Sequence, residues 1–466
     1  MIKMNEENLS NESEIVPTGK KISWAIGNIG GLAIGQASIL LLYAYYFLYL
    51  GVPLSPLGIS LVLLVYGIWD AINEPLIGHI SDVTRNRLGR RKPFIAFGLI
   101  PLVICSYLIY TPPITDPITT TLYLIVILIL YETFVTCCFT LWFALFPELT
   151  LDQNQRYAIS RYKEIFGVIG LILGLAIAPL IAGSYSDPVQ GFSMMGLILG
   201  LIAALSLLPT LFFIKEREEF QIVEENKVGF IESMKISLKS KSFVCFILVQ
   251  FLLQLSYSVV LSGLPLFFEG VLGMQASEWA IQMLLIFCVV IPGLYVWIKI
   301  AEKKGTRYAL FISMICFCLT FPLIFIVYNS TTMLIVLLIA GFGLGGLMLF
   351  PTILLSDVID EDQLRTNERR EGIYNGVSGV IVKSSNAISW LVLGIVLTIF
   401  QINRENVSPS TLTPLGGLGL RLLLGVIPVV FLLLGMLFLY LYPLSGEKLA
   451  EVKLKVKELN EKLVKN

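Results

Sequence analysis

The chain has 466 residues, of which 56% are hydrophobic and only 14% charged, and its formal net charge is zero. Soluble globular domains carry about 25% charged residues, so this composition and a mean hydropathy of +0.82 exclude an aqueous fold and demand a membrane-embedded one. The zero net charge says nothing about topology, which depends on where the cations sit.

In chain order, the first 23 residues are polar and acidic, and the apolar run that follows is longer than a signal-peptide core. They are expected to form a cytoplasmic tail. Apolar runs then predict helices at 24–50, 57–79, 93–111, 120–146, 161–183 and 190–214, a polar linker at 215–240, and six more helices at 241–267, 276–300, 307–328, 331–357, 371–400 and 417–442. Most of these runs exceed the roughly 18 residues that cross a bilayer. The fold class expected is an all-α polytopic membrane protein with twelve transmembrane helices in two six-helix bundles, 24–214 and 241–442. The tail at 443–466 repeats Leu449, Val452, Val456, Leu459 and Leu463 among charges, the pattern of an amphipathic cytoplasmic helix able to lie at the interface.

Arg85, Arg87, Arg90, Arg91 and Lys92 crowd one turn, and Lys303, Lys304 and Arg307 another on the same side, whereas the turns at 51–56, 112–119, 184–189 and 268–275 hold neither Lys nor Arg. The positive-inside rule then places both termini in the cytoplasm, and a plasma (cell inner) membrane is the expected location. The basic turns are short and tied to membrane spans, so topology explains them without nucleic acid. Asp82 with Arg85, Arg90 and Arg91 could also form inter-bundle salt bridges that break when the bundles rock, a gate. All seven cysteines fall inside apolar segments and read as small buried hydrophobes rather than disulfide partners.

Ionisable groups inside the hydrocarbon zone are functional candidates by default. The second span holds Asp70, Asn73 and Glu74 at i, i+3 and i+4, on one helix face; two carboxylates and an amide there could bind a small cation or a proton. The fourth adds Glu132 and, a turn later, Thr136. The eleventh carries Lys383 about 18 Å in by helical rise, with Asn386 on the same face, and a carboxylate across the cavity is its expected partner. Asn28, Gln36, Gln250, Gln254 and Tyr257 are the other polar groups placed to line a central cavity. The lone histidine, His79, has no metalloprotease, hydrolase or nucleotide motif around it, which argues against an enzyme. Two six-helix halves with buried charge point instead to alternating access around a midplane site.

Three blocks carry a resemblance: IWDAINEPLIGHISDVTRNRLGRRKPF at 68–94, ALFPELTLDQNQR at 144–156 and SDVIDEDQLRTNERREGIYNG at 356–376. In that order and topology the chain resembles the glycoside-pentoside-hexuronide:cation symporters of the major facilitator superfamily, typified by the bacterial melibiose carrier. The resemblance implies the major facilitator fold, no cofactor, a coupling ion that is sodium, a proton or lithium, a small-molecule substrate, membrane lipids around it, and function as a monomer. It implies a cation site at Asp70, Asn73, Glu74 and Thr136, with a sodium ion held by Asp70 and Glu74, and substrate contacts at Arg161 and Lys383. Where the melibiose carrier grips its sugar with charged and aromatic residues, this chain has Gly31, Leu32, Phe139 and Phe143. Asn28, Gln36, Glu132, Phe139, Phe143, Arg161, Gln254, Tyr257, Lys383 and Asn386 are therefore the candidate substrate residues. Cation-coupled symport of a sugar or glycoside is the first expectation; the apolar pocket makes a lysolipid or other amphiphile the alternative.

Overall fold

The computed structural model describes residues 16–50, 54–84, 86, 89–114, 116–150, 153–216, 238–366 and 371–465. Eleven helices among them are long and apolar enough to cross a membrane, and a shorter apolar one of 17 residues completes the twelve. In order they are α1 Thr18–Tyr49, α2 Pro56–Val83, α3 Lys92–Leu108, α4 Pro117–Ala144, α5 Ala158–Ala182, α6 Pro188–Phe213, α7 Lys241–Gly270, α8 Ala276–Lys304, α9 Thr306–Ile326, α10 Ser330–Thr366, α11 Glu371–Ile399 and α12 Pro414–Leu441. A thirteenth helix, α13, runs from Gly446 to Lys465. The expected linker at 215–240 lies mostly outside the described residues.

Four of the helices that start on the face opposite the termini begin alike. Ser55, Asp116, Asp187 and Thr413 each precede a proline at the first helical position and accept hydrogen bonds from backbone amides of the first turn. The cap satisfies donors that the first turn leaves orphaned, and proline's fixed φ suits the position. Three boundaries differ from expectation by more than five residues, one of them at the helix that carries α5, which begins at Gln153 rather than at 161. α1 begins at Thr18 because the helix takes in the polar Lys20 and Lys21, and α10 continues to Thr366 because its acidic end is helical beyond the apolar zone. Hydropathy marks where hydrocarbon ends, not where hydrogen bonding does.

Large apolar side chains such as Phe97, Ile100, Ile118 and Leu205 are exposed on the outer surface, as a lipid-facing surface requires. Inside, small residues set the helix spacing: a Cβ on Gly200 would meet Ser106 at 2.9 Å and one on Gly343 the Phe317 backbone at 2.7 Å. Such close approach lets dispersion hold helices together where no hydrophobic driving force operates between them.

The contacts between bundles gather in the half nearer the face opposite the termini. A Cβ on Gly67 of α2 would overlap the Ala387 methyl of α11, and Ser60 donates to the Trp390 carbonyl at 2.7 Å. Ser262 of α7 donates to the Ile39 carbonyl of α1 at 3.1 Å, and Tyr49 donates to the Glu269 carboxylate. Arg404 reaches the Leu48 and Tyr49 carbonyls, and Gly183 of α5 abuts Ser277 of α8. On the terminus-bearing side, Gly78 and Gly376 have open space where a Cβ would stand. Among the described residues the two bundles thus close together on the face opposite the termini. α13 does not float on the bilayer: Val452 and Val456 are buried in the C-terminal bundle's core. Lys448 pairs with Glu361 and Lys453 with Asp357, each at 3.1 Å, so the amphipathic tail docks on the protruding end of α10.

Candidate cation and substrate site

α2 presents Tyr66, Asp70, Asn73 and Glu74 on one face, and α4 presents Glu132, Thr136 and Thr140 at i, i+4 and i+8. Five residues of α4, Thr136–Thr140, form a π-helical turn, an irregularity common at functional sites. Between these faces stands Lys383 of α11. Its Nζ pairs with Asp70 Oδ1, lies 3.0 Å from Glu74 Oε1 and 3.8 Å from Glu132 Oε1. The expected carboxylate partner for a deep lysine is therefore three carboxylates, all from the other bundle. Tyr66 donates to Glu132 Oε2 at 2.8 Å, Thr140 to Glu74 Oε1 at 2.7 Å, and Asn73 Nδ2 to the Glu132 carbonyl at 3.2 Å. Asn73 Oδ1 and Thr136 Oγ1 are buried without a hydrogen-bond partner.

Those two orphaned oxygens decide how the cluster reads. A buried unpaired oxygen costs about 1–3 kcal/mol, and an amide and a hydroxyl beside two carboxylates are the hard oxygen donors that alkali and alkaline-earth cations prefer. Asn73 is 0% and Thr136 1% exposed, while the Asp70 and Glu74 side chains keep 15% and 22%. Among the described residues no group of three His, Cys, Asp or Glu is arranged to hold a metal. The ammonium of Lys383 sits between Asp70 and Glu74 with Glu132 beside it, so Lys383 and Glu132 are members of this charge cluster and line neither of the cavities described below.

The remaining polar candidates fall into two pairs. Tyr257 of α7 donates to Gln36 Oε1 of α1 at 2.8 Å, across the bundles. Gln254 Nε2 and Ser258 Oγ both donate to Asn386 Oδ1, at 3.2 and 2.6 Å. Gln36, Gln250, Gln254, Tyr257 and Thr352 line a cavity of about 220 Å³ together with Leu171, Leu253, Leu344 and Met348. A second cavity of about 70 Å³, wholly apolar apart from the Tyr257 hydroxyl, shares Leu171, Tyr257, Leu344 and Met348 with it and runs between α5 and α7, α8 and α10, past Leu264, Ile286 and Phe287. The two cavities thus adjoin, the first lined by polar and apolar groups together and the second almost wholly by apolar ones.

Other candidates stand elsewhere. Asn28 Nδ2 donates to the Lys163 carbonyl at 2.9 Å and packs on Gly167; it fastens α1 to α5. Phe139 fills the space over Gly31 and meets Trp142 edge-on. Phe143, 47% exposed, joins Trp24 and Phe146, with Lys163 Nζ 5.4 Å from its ring centre. Arg161 is exposed beside Tyr162 and lines neither cavity. Arg85 and the Asp82 side chain lie outside the described residues. The backbone amides of Arg90, Arg91 and Lys92 all donate to the Glu216 carboxylate, at 2.7, 3.0 and 2.8 Å, and the Arg91 guanidinium donates to the Ala144 carbonyl. These contacts clamp the turn to its own bundle, because Glu216 sits at the amino end of α3 where unpaired amides favour an anion. Glu216→Ala should accordingly lower stability by about 2 kcal/mol with little change in transport per folded molecule, checked by thermal denaturation in detergent beside an uptake assay.

Sequence reasoning missed Tyr66, Thr140 and Ser258. Each stands one helical turn from a residue it singled out (Asp70, Thr136 and Gln254), and that spacing was the available signal.

The sequence profile of a family described as MFS/sugar transport protein matches residues 23–446. The sodium-dependent lysophosphatidylcholine symporter 1-A of Danio rerio is 23% identical, with 92% of this chain and 86% of that protein covered. The uncharacterized symporter YnaJ of Bacillus subtilis (strain 168) is 26% identical over 94% of this chain and 95% of its own. Among solved structures, an inward-facing, occupied bacterial homolog of the human lysosomal transporter Spinster superposes with a TM-score of 0.64 at 13% identity, covering 92% of this chain and 97% of that one. A D-xylose-proton symporter gives 0.60 at 14% identity, covering 89% and 96%.

Proposed function

The chain belongs to the MFS/sugar transport protein family, and on that premise we propose that it couples a sodium ion, bound at Asp70, Asn73, Glu74 and Thr136, to the movement of an amphiphile of the lysolipid kind. Family membership makes it a membrane transporter and not an enzyme. The observation that carries the substrate reading is a pair of adjoining cavities, one holding the polar groups of Gln36, Gln254 and Tyr257 and the other walled by apolar side chains of α5, α7, α8 and α10. A headgroup suits the first cavity, and the apolar walls of the second suit the start of an acyl chain, whereas a sugar would leave those walls unused. The order of the two substrate expectations is therefore reversed: amphiphile first, sugar or glycoside second. The lysophosphatidylcholine symporters among the relatives lend the same support, and they support sodium over proton as coupling ion. The relation to the melibiose-type branch rests on the three blocks at 68–94, 144–156 and 356–376; the relatives named above support the major facilitator superfamily and not that branch in particular.

Alternating access follows from the charges. Lys383 on one bundle is tied to Asp70 and Glu74 on the other; a cation that replaces it removes an inter-bundle ion pair, and the packing of α2 on α11 becomes free to change. Substrate filling the two cavities would touch Tyr257 and Gln36, which join the bundles a little further along. With the basic turns placed inside by the positive-inside rule, the described state opens to the cytoplasm, in a plasma membrane, with both termini cytoplasmic and a monomer sufficient.

The test is the thermal shift of purified protein against lysolipids, monosaccharides, disaccharides and glycosides, in sodium and in choline at equal ionic strength. A ligand that binds the native state raises the melting temperature by mass action. Lysolipid shifts enlarged by sodium are expected. Shifts confined to a sugar would overturn the amphiphile reading, and shifts indifferent to sodium would overturn the coupling ion.

A further inference from the structure

The cluster holds one carboxylate more than a sodium site needs. Asp70 and Glu74 grip the Lys383 ammonium and, with the orphaned Asn73 Oδ1 and Thr136 Oγ1, supply the cation ligands. Glu132 comes from α4 rather than α2 and lies against Asp70. Its side chain is only 5% exposed, against 15% and 22% for Asp70 and Glu74, so it sits on the dry side of the ammonium. One oxygen, Oε2, is fixed by the Tyr66 hydroxyl at 2.8 Å; the other, Oε1, faces Lys383 Nζ at 3.8 Å. That distance is too long for a hydrogen bond and short enough for a small swing of the lysine to make one.

When a sodium ion enters from the exposed side, the ammonium must give up Asp70 and Glu74. Leaving it unpaired inside the membrane would cost several kcal/mol. Glu132 is the one carboxylate within reach that the ion does not claim, and among the described residues Lys383 is its only cationic partner. We propose that Glu132, oriented by Tyr66, is the receiving anchor for Lys383: sodium binding hands the ammonium from α2 to α4, and sodium release hands it back. Glu132 is then a positioning residue that acts through Lys383, neither a sodium ligand nor a substrate contact. The bundles stay tethered through Lys383 in both states while the tether moves from the helix that seals against α11 to one that does not, which gives the cation a direct lever on the seal.

The inference rests on the sodium site proposed above, and a double-mutant cycle separates the two. Equilibrium binding of 22Na+ is measured on the full chain in lipid nanodiscs for the unaltered protein, Glu132→Gln, Lys383→Gln and the double variant. Glu132→Gln should weaken sodium binding about tenfold or more, since the displaced lysine loses its partner. In the Lys383→Gln background the same change should alter affinity by no more than about twofold, because no ammonium needs to be rehoused. Tyr66→Phe, which keeps every charge, should weaken binding in the same direction by a smaller factor and should lose that effect with Lys383→Gln. A Glu132→Gln loss that persists at full size without Lys383 would make Glu132 a direct ligand and overturn the handover. Unchanged affinity in Glu132→Gln would overturn it as well. If the unaltered protein binds no sodium, or if Asp70→Asn binds it equally well, the sodium site itself falls.

Discussion

Asp70→Asn is expected to insert and fold normally yet to lose sodium-driven accumulation, by about 100-fold or more, in proteoliposomes with an imposed sodium gradient. The substitution keeps shape and removes charge. Asp70 is the carboxylate paired with Lys383 and, with Glu74, one of two anions available to an entering cation. Removing one of them leaves a single carboxylate, an amide and a hydroxyl, which cannot offset the dehydration of a monovalent ion against a neighbouring ammonium. Truncating one member of a buried charge pair commonly costs 2–5 kcal/mol, roughly 30- to 5,000-fold, which is the source of the expected size. The assay must also impose a pH gradient in place of the sodium gradient, because a proton is the other ion a carboxylate can carry. Accumulation in Asp70→Asn equal to that of the unaltered protein under both gradients would sink the assignment. A loss under sodium alone, with proton-driven accumulation intact, would show that the cluster serves two ions.

The architecture was legible in the sequence because hydrocarbon thickness imposes a length on every span. The number of helices, and all but a few residues of their extents, follow from that constraint. The α10 end from Asp357 to Thr366 escaped it, since polar residues can continue a helix into water as readily as form a loop. The ionic cluster was legible in part. Helical spacing alone puts Asp70, Asn73 and Glu74 on one face, and depth alone gives Lys383 a need for a carboxylate. Nothing in the spacing says which carboxylate, and the structure supplies three. The substrate candidates were less legible. Asn28, picked as a polar group at a plausible depth, and Phe143 and Arg161, assigned by resemblance, line neither cavity in this structure; whether an amide fastens two helices or lines a cavity depends on what stands opposite, and that is a property of packing rather than of sequence. The Glu216 clamp was invisible for a related reason: its partners are backbone amides, which carry no side-chain signature.

The second large effect is steric, and it tests the seal instead of the charges. α2 and α11 meet at Gly67 and Ala387, where a second methyl group has no room, and one turn or two further on at Ser60, which bonds the Trp390 carbonyl and fills the space over Gly394. These are backbone approaches between rigid helices, with no flexible side chain able to withdraw. Gly67→Ala should therefore push the helices apart and disfavour the state sealed on the face opposite the termini. Overpacking of this kind costs about 1–3 kcal/mol, and because every 1.4 kcal/mol shifts a two-state population tenfold, transport should fall roughly 10- to 100-fold while 22Na+ binding survives. A cysteine introduced at Ser262, beneath the seal, should at the same time become reactive to a membrane-impermeant maleimide applied from that face. Ala387→Gly in the same chain moves the missing methyl from one helix to the other, so the double variant should regain both transport and protection of the cysteine. Rescue would mean that the contact acts through fit alone and that the two helices must meet and part in every cycle. If Gly67→Ala leaves transport and labelling unchanged, α2 and α11 do not form the seal, and the sodium cluster a turn below would have to drive some other pair of helices.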